Sequence, residues 1–170
     1  MRVVILQANA VDESLALSDL AGVLLAHGHV VDLLLDDQEP DPAAALRLLR
    51  PDVVLVQAAY MGEPWTRRAV ARVPDGVPSV LVGTSATFDE GLLSRIPADF
   101  VLMGELDHCA PVLLDALVGR VPLDAVPALR WLDAGTLRSN PWGEVPDLES
   151  LPLPDRSLYF GRYPFMGRFP

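Results

Sequence analysis

Ser79-Val80-Leu81-Val82-Gly83-Thr84-Ser85-Ala86 is the stretch that decides the fold. A short run of aliphatic residues is cut off by glycine, and three small residues follow. An apolar run of this length, ended by a turn residue, reads as a strand buried on both faces. Working outward, the same unit recurs on either side. Val3-Val4-Ile5-Leu6, Val30-Val31-Asp32-Leu33-Leu34-Leu35, Val53-Val54-Leu55-Val56 and Phe100-Val101-Leu102-Met103 are the other runs. Most of them open into small or polar loops: Gln7-Ala8-Asn9-Ala10, Gln57-Ala58-Ala59-Tyr60 and Gly104-Glu105-Leu106-Asp107.

Between the runs lie helical stretches. Leu17, Leu20, Val23, Leu24 and His27 recur at helical spacing, with Asp12 or Ser14 placed to cap them and Gly28 to end them. Further helices are predicted over Ala43 to Arg50, Pro64 to Arg72, Glu90 to Arg95 and about His108 to Val118. Strand and helix in alternation predict an α/β fold, a Rossmann-like (flavodoxin-like) five-stranded parallel sheet with helices on both faces. After Gly119 the character changes. Ala128 to Trp131 and Thr136 to Arg138 flank Asp133-Ala134-Gly135 and read as a β-hairpin. From Asn140 onward proline and glycine dominate, predicting an extended tail that Leu148, Leu151 and Leu153 pin to the body. Its end, from Tyr159 to Pro170, is the most aromatic part of the chain and calls for a partner surface. The expected division is a domain over 1–120 and a hairpin with connector over 121–170.

With 170 residues, 51% of them hydrophobic, the chain is long enough to build a real core. A net charge of −10 argues against nucleic acid and against an anionic membrane surface. All 13 basic residues are arginine, so chemistry that needs a lysine is excluded. Cys109 is the one cysteine, so no disulfide and no cysteine-held cluster can form within this chain. Met1-Arg2 leads directly into a four-residue apolar run, too short for a signal core, and a cytoplasmic setting is expected.

Parallel sheets of this class bind ligands at the carboxyl ends of their strands. There Gly83 lets a ligand approach the backbone, Thr84 and Ser85 add hydroxyls, and Ala86 keeps the space open. An ordinary turn is the alternative. Gln57, Ala58, Ala59 and Tyr60 offer an amide, two methyls and an aromatic that either walls a flat ring system or packs on a helix. Asn9 is the best hydrogen-bonding residue of the first loop. Glu105 can accept from amide or hydroxyl donors, or, with Asp107, favour the dipole of the helix that follows. His108 and Cys109 are adjacent on one helix, point in different directions and make a poor metal pair.

Taken in order, these loops resemble the cobalamin-binding domain at the N-terminus of cobalamin-dependent radical S-adenosylmethionine enzymes. The resemblance covers nearly the whole chain. It rests on Gly83-Thr84-Ser85-Ala86-Thr87 after the fourth strand, Asp99 before the fifth and Gly104-Glu105 after it. The most specific match is the connector, Asp147-Leu148-Glu149-Ser150-Leu151-Pro152-Leu153-Pro154-Asp155-Arg156. The resemblance implies cobalamin over the carboxyl ends of the strands, its nucleotide tail threaded into the domain. Asn9, Gln57 to Tyr60, Gly83 to Thr87, Gly104 and Glu105 would line it. It also implies a methyltransferase-type partner domain that carries the iron–sulfur cluster. Thr84 stands where a second glycine is frequent, and Leu106-Asp107 where a second Gly-Glu pair is. No Asp-x-His-x-x-Gly motif supplies a lower-axial histidine.

Other ligand chemistries of this fold class fit poorly. Gln7, Gln57 and the absence of lysine exclude receiver-type phosphotransfer. Ala8-Asn9-Ala10-Val11 is a poor flavin phosphate loop, and no Gly-x-Gly-x-x-Gly opens a helix. The competing reading is a non-catalytic interaction scaffold with an empty pocket and a tail that docks on another protein.

Overall fold

The computed structural model describes residues 1–11, 13–59, 62–144 and 147–168. Five parallel strands come first: β1 (Arg2–Gln7), β2 (Val30–Leu35), β3 (Val53–Gln57), β4 (Ser79–Val82) and β5 (Phe100–Leu102). The helices among them are α1 (Leu15–Ala26), α2 (Pro42–Leu49), α3 (Glu63–Val70), α4 (Thr84–Phe88), α5 (Leu92–Arg95) and α6 (Leu106–Leu117). The hairpin strands are β6 (Leu129–Asp133) and β7 (Thr136–Ser139), and α7 (Ser157–Phe160) lies in the tail. Spatial order in the sheet is β2-β1-β3-β4-β5-β6-β7. The first five strands pair parallel, and β6 and β7 pair antiparallel. The expected five-stranded parallel sheet is present, but the hairpin does not stand apart from it. A lone hairpin is marginal in water, and β6 instead zips onto the open edge of β5, making seven strands.

Because side chains alternate along a strand, the sheet carries two cores. Val3, Ile5, Leu33, Leu55 and Val80 face α1 and α6. Val4, Leu6, Leu34, Val56 and Leu81 face α2, α3 and α5. Asp41 caps α2 through Oδ1, which accepts from the Ala44 N–H at 2.9 Å, and Pro42 fits the first turn. Ser14 stands at the start of α1 but makes no side-chain cap bond; Asp12 lies outside the described residues.

Two local expectations change. The glycine-led loop after β4 is wound into α4, and α6 begins at Leu106, ahead of His108. The tail is also less extended than its composition suggests. It forms α7 and a 3-10 turn over Pro164–Arg168. Tyr159 is fully buried and Tyr163 nearly so, because the body itself supplies the surface these rings need. Leu148 and Leu153 remain exposed and do not pin the connector. Backbone does this instead: the Asp155 N–H donates to the Ser18 carbonyl at 2.9 Å. The Leu153 carbonyl lies so close to Gly22 of α1 that a Cβ there would sit 2.5 Å from it.

Candidate functional site

At the end of β4 the chain must turn sharply into α4. Gly83 does so at φ 101°, ψ −163°, a conformation essentially reserved for glycine. A Cβ on Gly83 would lie 3.3 Å from the Ala58 carbonyl oxygen. That oxygen accepts from the Ser85 N–H at 2.9 Å, stitching the β4 turn to the β3 turn. Thr87 ties in the third turn. Its Oγ1 donates to the Gly83 carbonyl at 2.9 Å and accepts from the Gly104 N–H at 3.0 Å. Gly104 itself sits at φ 65°, with the six-membered ring of Trp142 against the face where a Cβ would stand. Three strand ends are thereby locked to one another by backbone and one hydroxyl.

Beside this junction opens a cleft of about 320 Å³, bordered by Gly83, Thr84, Thr87, Phe88, Gly104 and Glu105, with Ala16 and Asp19 of α1 opposite. A second hollow of about 250 Å³ lies on the other side of α4, between Ala58, Ala59, Thr66 and Ser85. Glu63 and Asp89 edge it, and Arg95 bridges the two carboxylates. A broad depression of about 720 Å³ lies over Thr84, Ser85, Phe88, Asp89 and Glu90.

Of the residues picked out from sequence, Gly83, Thr84, Thr87, Gly104 and Glu105 share the first cleft. Ala58, Ala59 and Ser85 border the second hollow. Ala86 keeps no space open: it is fully buried and packs into the core beneath the turn. Gln57 ends β3 and borders none of these three hollows. Asn9 is exposed, away from them, with its Oδ1 accepting from the Val11 N–H at 3.2 Å. Tyr60 lies outside the described residues. Asp99 serves the opposite end of the sheet, accepting from the Ser79 N–H at 2.8 Å and donating its own N–H to Ser79 Oγ.

The cleft is acidic, which the loops alone did not foretell. Asp19 reaches it from α1, joining Glu105 and Asp107, and no arginine borders it. Burial, then the charges of Asp19 and Glu105, push the Asp107 carboxyl above its usual range. Such a lining accepts hydrogen bonds and disfavours an anion placed deep inside. Phe88 and Trp142, both exposed, were also missed. Phe88 carries no motif, and Trp142 is a lone aromatic among prolines and glycines.

The remaining reactive groups stand elsewhere. Cys109 is buried in α6, and desolvation pushes its thiol up to about 12, so it is inert. His108 lies against Gly143, its Nε2 2.5 Å from where a Cβ on that glycine would stand. Among the described residues no group of three or more His, Cys, Asp or Glu gathers as a metal site. No described helix is long and apolar enough to cross a membrane.

On the β1 side the sheet edge is covered by the tail. The Tyr159 hydroxyl donates to Gln7 Oε1 at 2.7 Å and accepts from the Ser14 N–H at 3.0 Å. The Tyr163 hydroxyl accepts from the Leu35 N–H at 2.9 Å and donates to Glu39 at 2.5 Å. Open ligand-sized space among these turns is therefore found over β3, β4 and β5.

No family model and no curated protein matches this chain. Solved structures do match in fold. The radical S-adenosylmethionine methyltransferase TsrM from Kitasatospora setae, with cobalamin and a [4Fe-4S] cluster bound, superposes with TM-score 0.72 at 16% identity. The match covers 90% of this chain and 31% of that one. The cobalamin-dependent S-adenosylmethionine radical enzyme OxsB, with aqua-cobalamin and S-adenosylmethionine bound, gives TM-score 0.73 at 14% identity. Here 97% of this chain and 25% of that one are covered. At these identities the likeness is one of fold, and the chain spans about a quarter to a third of the length of these neighbours.

Proposed function

We propose that this chain is a cobalamin-binding module whose ligand lies over the carboxyl ends of β3, β4 and β5. The observation that carries the reading is the junction at Gly83, Thr87 and Gly104. Two glycines at positive φ let the β4 and β5 turns close beside the cleft, and one threonine holds both turns in place. The cleft beside it lies at the small end of the range for ligand pockets. It suits the nucleotide-sized part of a cobalamin, with the corrin resting outside on the broad depression over α4. The residues present fit such a ligand. Glu105, Asp107 and Asp19 are acceptors for amide and hydroxyl donors, and Thr84 adds a hydroxyl. Among the described residues no histidine borders the cleft or the depression over α4.

When bound, cobalamin supplies a methyl-carrying cobalt; the chain's own residues orient it. Asn9, Gln57 and Tyr60 are kept as proposed contacts of the wider ligand rather than of the cleft. A radical S-adenosylmethionine domain is the proposed partner, in a methyltransferase-type system. Tyr159 and Tyr163 are already committed to the body, so among the described residues of 159–168 Phe165 is the exposed aromatic offered to it.

Purified protein mixed with hydroxocobalamin and then desalted tests the proposal. Retained colour at one equivalent with a shifted visible spectrum supports it. Colourless protein that remains folded overturns it in favour of the scaffold.

A further inference from the structure

We propose that a hollow at the amino ends of β3 and β4, at the opposite end of the sheet from the cleft, binds a small phosphate monoester with an apolar body. The hollow measures about 290 Å³ and is bordered by Arg47, Arg50, Pro51, Pro74 and Val77. Arg47 lies in the last turn of α2 and Arg50 caps that helix. Pro51 leads into β3, and Pro74 and Val77 precede β4. The wall is stiff. Both prolines have fixed φ, Pro51 is buried, and the Val77 N–H donates to the Pro74 carbonyl at 3.1 Å. A site walled in this way needs little ordering when a ligand enters.

Two observations set these arginines apart. Arg72, Arg95, Arg156 and Arg162 are each paired with a carboxylate, whereas neither Arg47 nor Arg50 has an ion pair among the described residues. With a net charge of −10 the chain does not lack carboxylates. Asp52, close by in sequence, is spent on the Arg2 N–H at 2.6 Å, and no carboxylate borders the hollow among the described residues. The second observation is backbone. Arg50 stands at φ 50°, ψ 60°, the left-handed conformation in which helices commonly end on glycine. A Cβ there costs stability, so a side chain at this position calls for a use of its own. The helix dipole accounts for Arg47 in the last turn, but not for Arg50 in strained backbone on the rim of the same hollow. The occupant follows from charge and wall. Two guanidiniums match the two negative charges of a phosphate monoester, and a guanidinium is shaped to fork onto phosphate oxygens. Proline and valine offer the rest of the molecule apolar contact alone, and a hollow of this size takes a small organic body.

The test is an amide NMR titration of wild type, Arg47→Gln and Arg50→Gly with two probes, phenyl phosphate and inorganic phosphate. Wild type is expected to bind phenyl phosphate with Kd of about 1 mM or tighter, and inorganic phosphate roughly tenfold more weakly, because the ester alone reaches the apolar wall. Each substitution weakens phenyl phosphate about tenfold or more. Tm of Arg50→Gly equals or exceeds that of wild type, since glycine is at ease at φ 50°. That pairing of lost affinity with undiminished stability is what a merely structural arginine would not give. A wild type that shows no phenyl phosphate binding by about 10 mM overturns the proposal. Equal affinity for the two probes also overturns it, because the wall would then play no part. Wild-type affinity in Arg50→Gly places the anion elsewhere, and a lower Tm in that variant shows that Arg50 is kept for the fold. Each of these outcomes leaves the cobalamin reading untouched, since the two sites lie at opposite ends of the sheet.

Discussion

The hydroxyl of Tyr159 donates to Oε1 of Gln7 at 2.7 Å, joining the tail to the end of the first strand across 152 residues. Gln7 is buried where β1 stops, and it also donates through Nε2 to the Asn9 carbonyl at 2.8 Å. The same tyrosine oxygen accepts from the Ser14 N–H, so one side chain joins β1, the entry to α1 and the tail. Replacing Tyr159 by phenylalanine keeps the ring and deletes both bonds. The expected cost is about 1–3 kcal/mol, because polar groups buried around the hydroxyl lose a partner. Urea unfolding of the variant measures it; an unchanged midpoint would show that the bonds contribute nothing net.

Gly83 carries a sterner requirement. Its φ and ψ lie where a Cβ is strained whatever the space, and the Ala58 oxygen stands 3.3 Å from that Cβ. Gly83→Ala is therefore expected to cost about 1–3 kcal/mol of stability by itself. Bulkier residues such as leucine cost more, so a loss of ligand retention in Gly83→Leu does not separate the site from the fold. Thermal unfolding of Gly83→Ala decides the point: stability equal to wild type would contradict the backbone assignment.

Thr87 allows the cleaner test of the site. Thr87→Val preserves the side-chain shape and removes the hydroxyl that links the Gly83 carbonyl to the Gly104 N–H. The fold is expected to survive with a loss of roughly 1–3 kcal/mol. The two turns, no longer fastened, should retain hydroxocobalamin at least tenfold more weakly than wild type. Binding at wild-type strength in a folded Thr87→Val protein would place the ligand elsewhere.

How far the sequence could be read depends on the range of each interaction. The five parallel strands were legible because each is a local apolar run closed by a turn residue, and Gly83 and Gly104 because a turn demands them. Asp19 was not, since a helical residue enters the cleft only once α1 has crossed back over the sheet. The hairpin's attachment to β5 was likewise invisible, because Phe100 meets Trp131 only through a pairing 31 residues apart. The tail misled for a related reason. Proline and glycine signal irregular chain correctly, but nothing local to Tyr159 or Tyr163 reveals that Gln7, Leu35 and Glu39 await their hydroxyls.

Those tail contacts make docking depend on pH from both directions. Glu39 is held below the ordinary carboxylate value, first by the Arg162 hydrogen bond at 2.8 Å and also by Tyr163. Glu13 is held low by Arg156, which grips both its oxygens at 2.6 and 2.7 Å. A carboxyl whose folded pKa is depressed contributes stability that is whole above its unfolded value near 4.5 and is lost as pH falls through the folded one. The tyrosines act at the other end. Burial pushes Tyr159 and Tyr163 from 10.0 up to about 12, so the contribution of their neutral hydroxyls is whole below pH 10 and lost as pH rises through about 12. Near-ultraviolet circular dichroism of the tyrosines should therefore be flat between about pH 5 and pH 9.5 and fall off outside that window. Glu39→Gln removes one of the two acid-sensitive anchors, so its signal should fall less steeply below pH 4.5 than that of wild type. An acid limb identical in wild type and Glu39→Gln would show that the Glu39 contacts with Arg162 and Tyr163 do not govern tail docking.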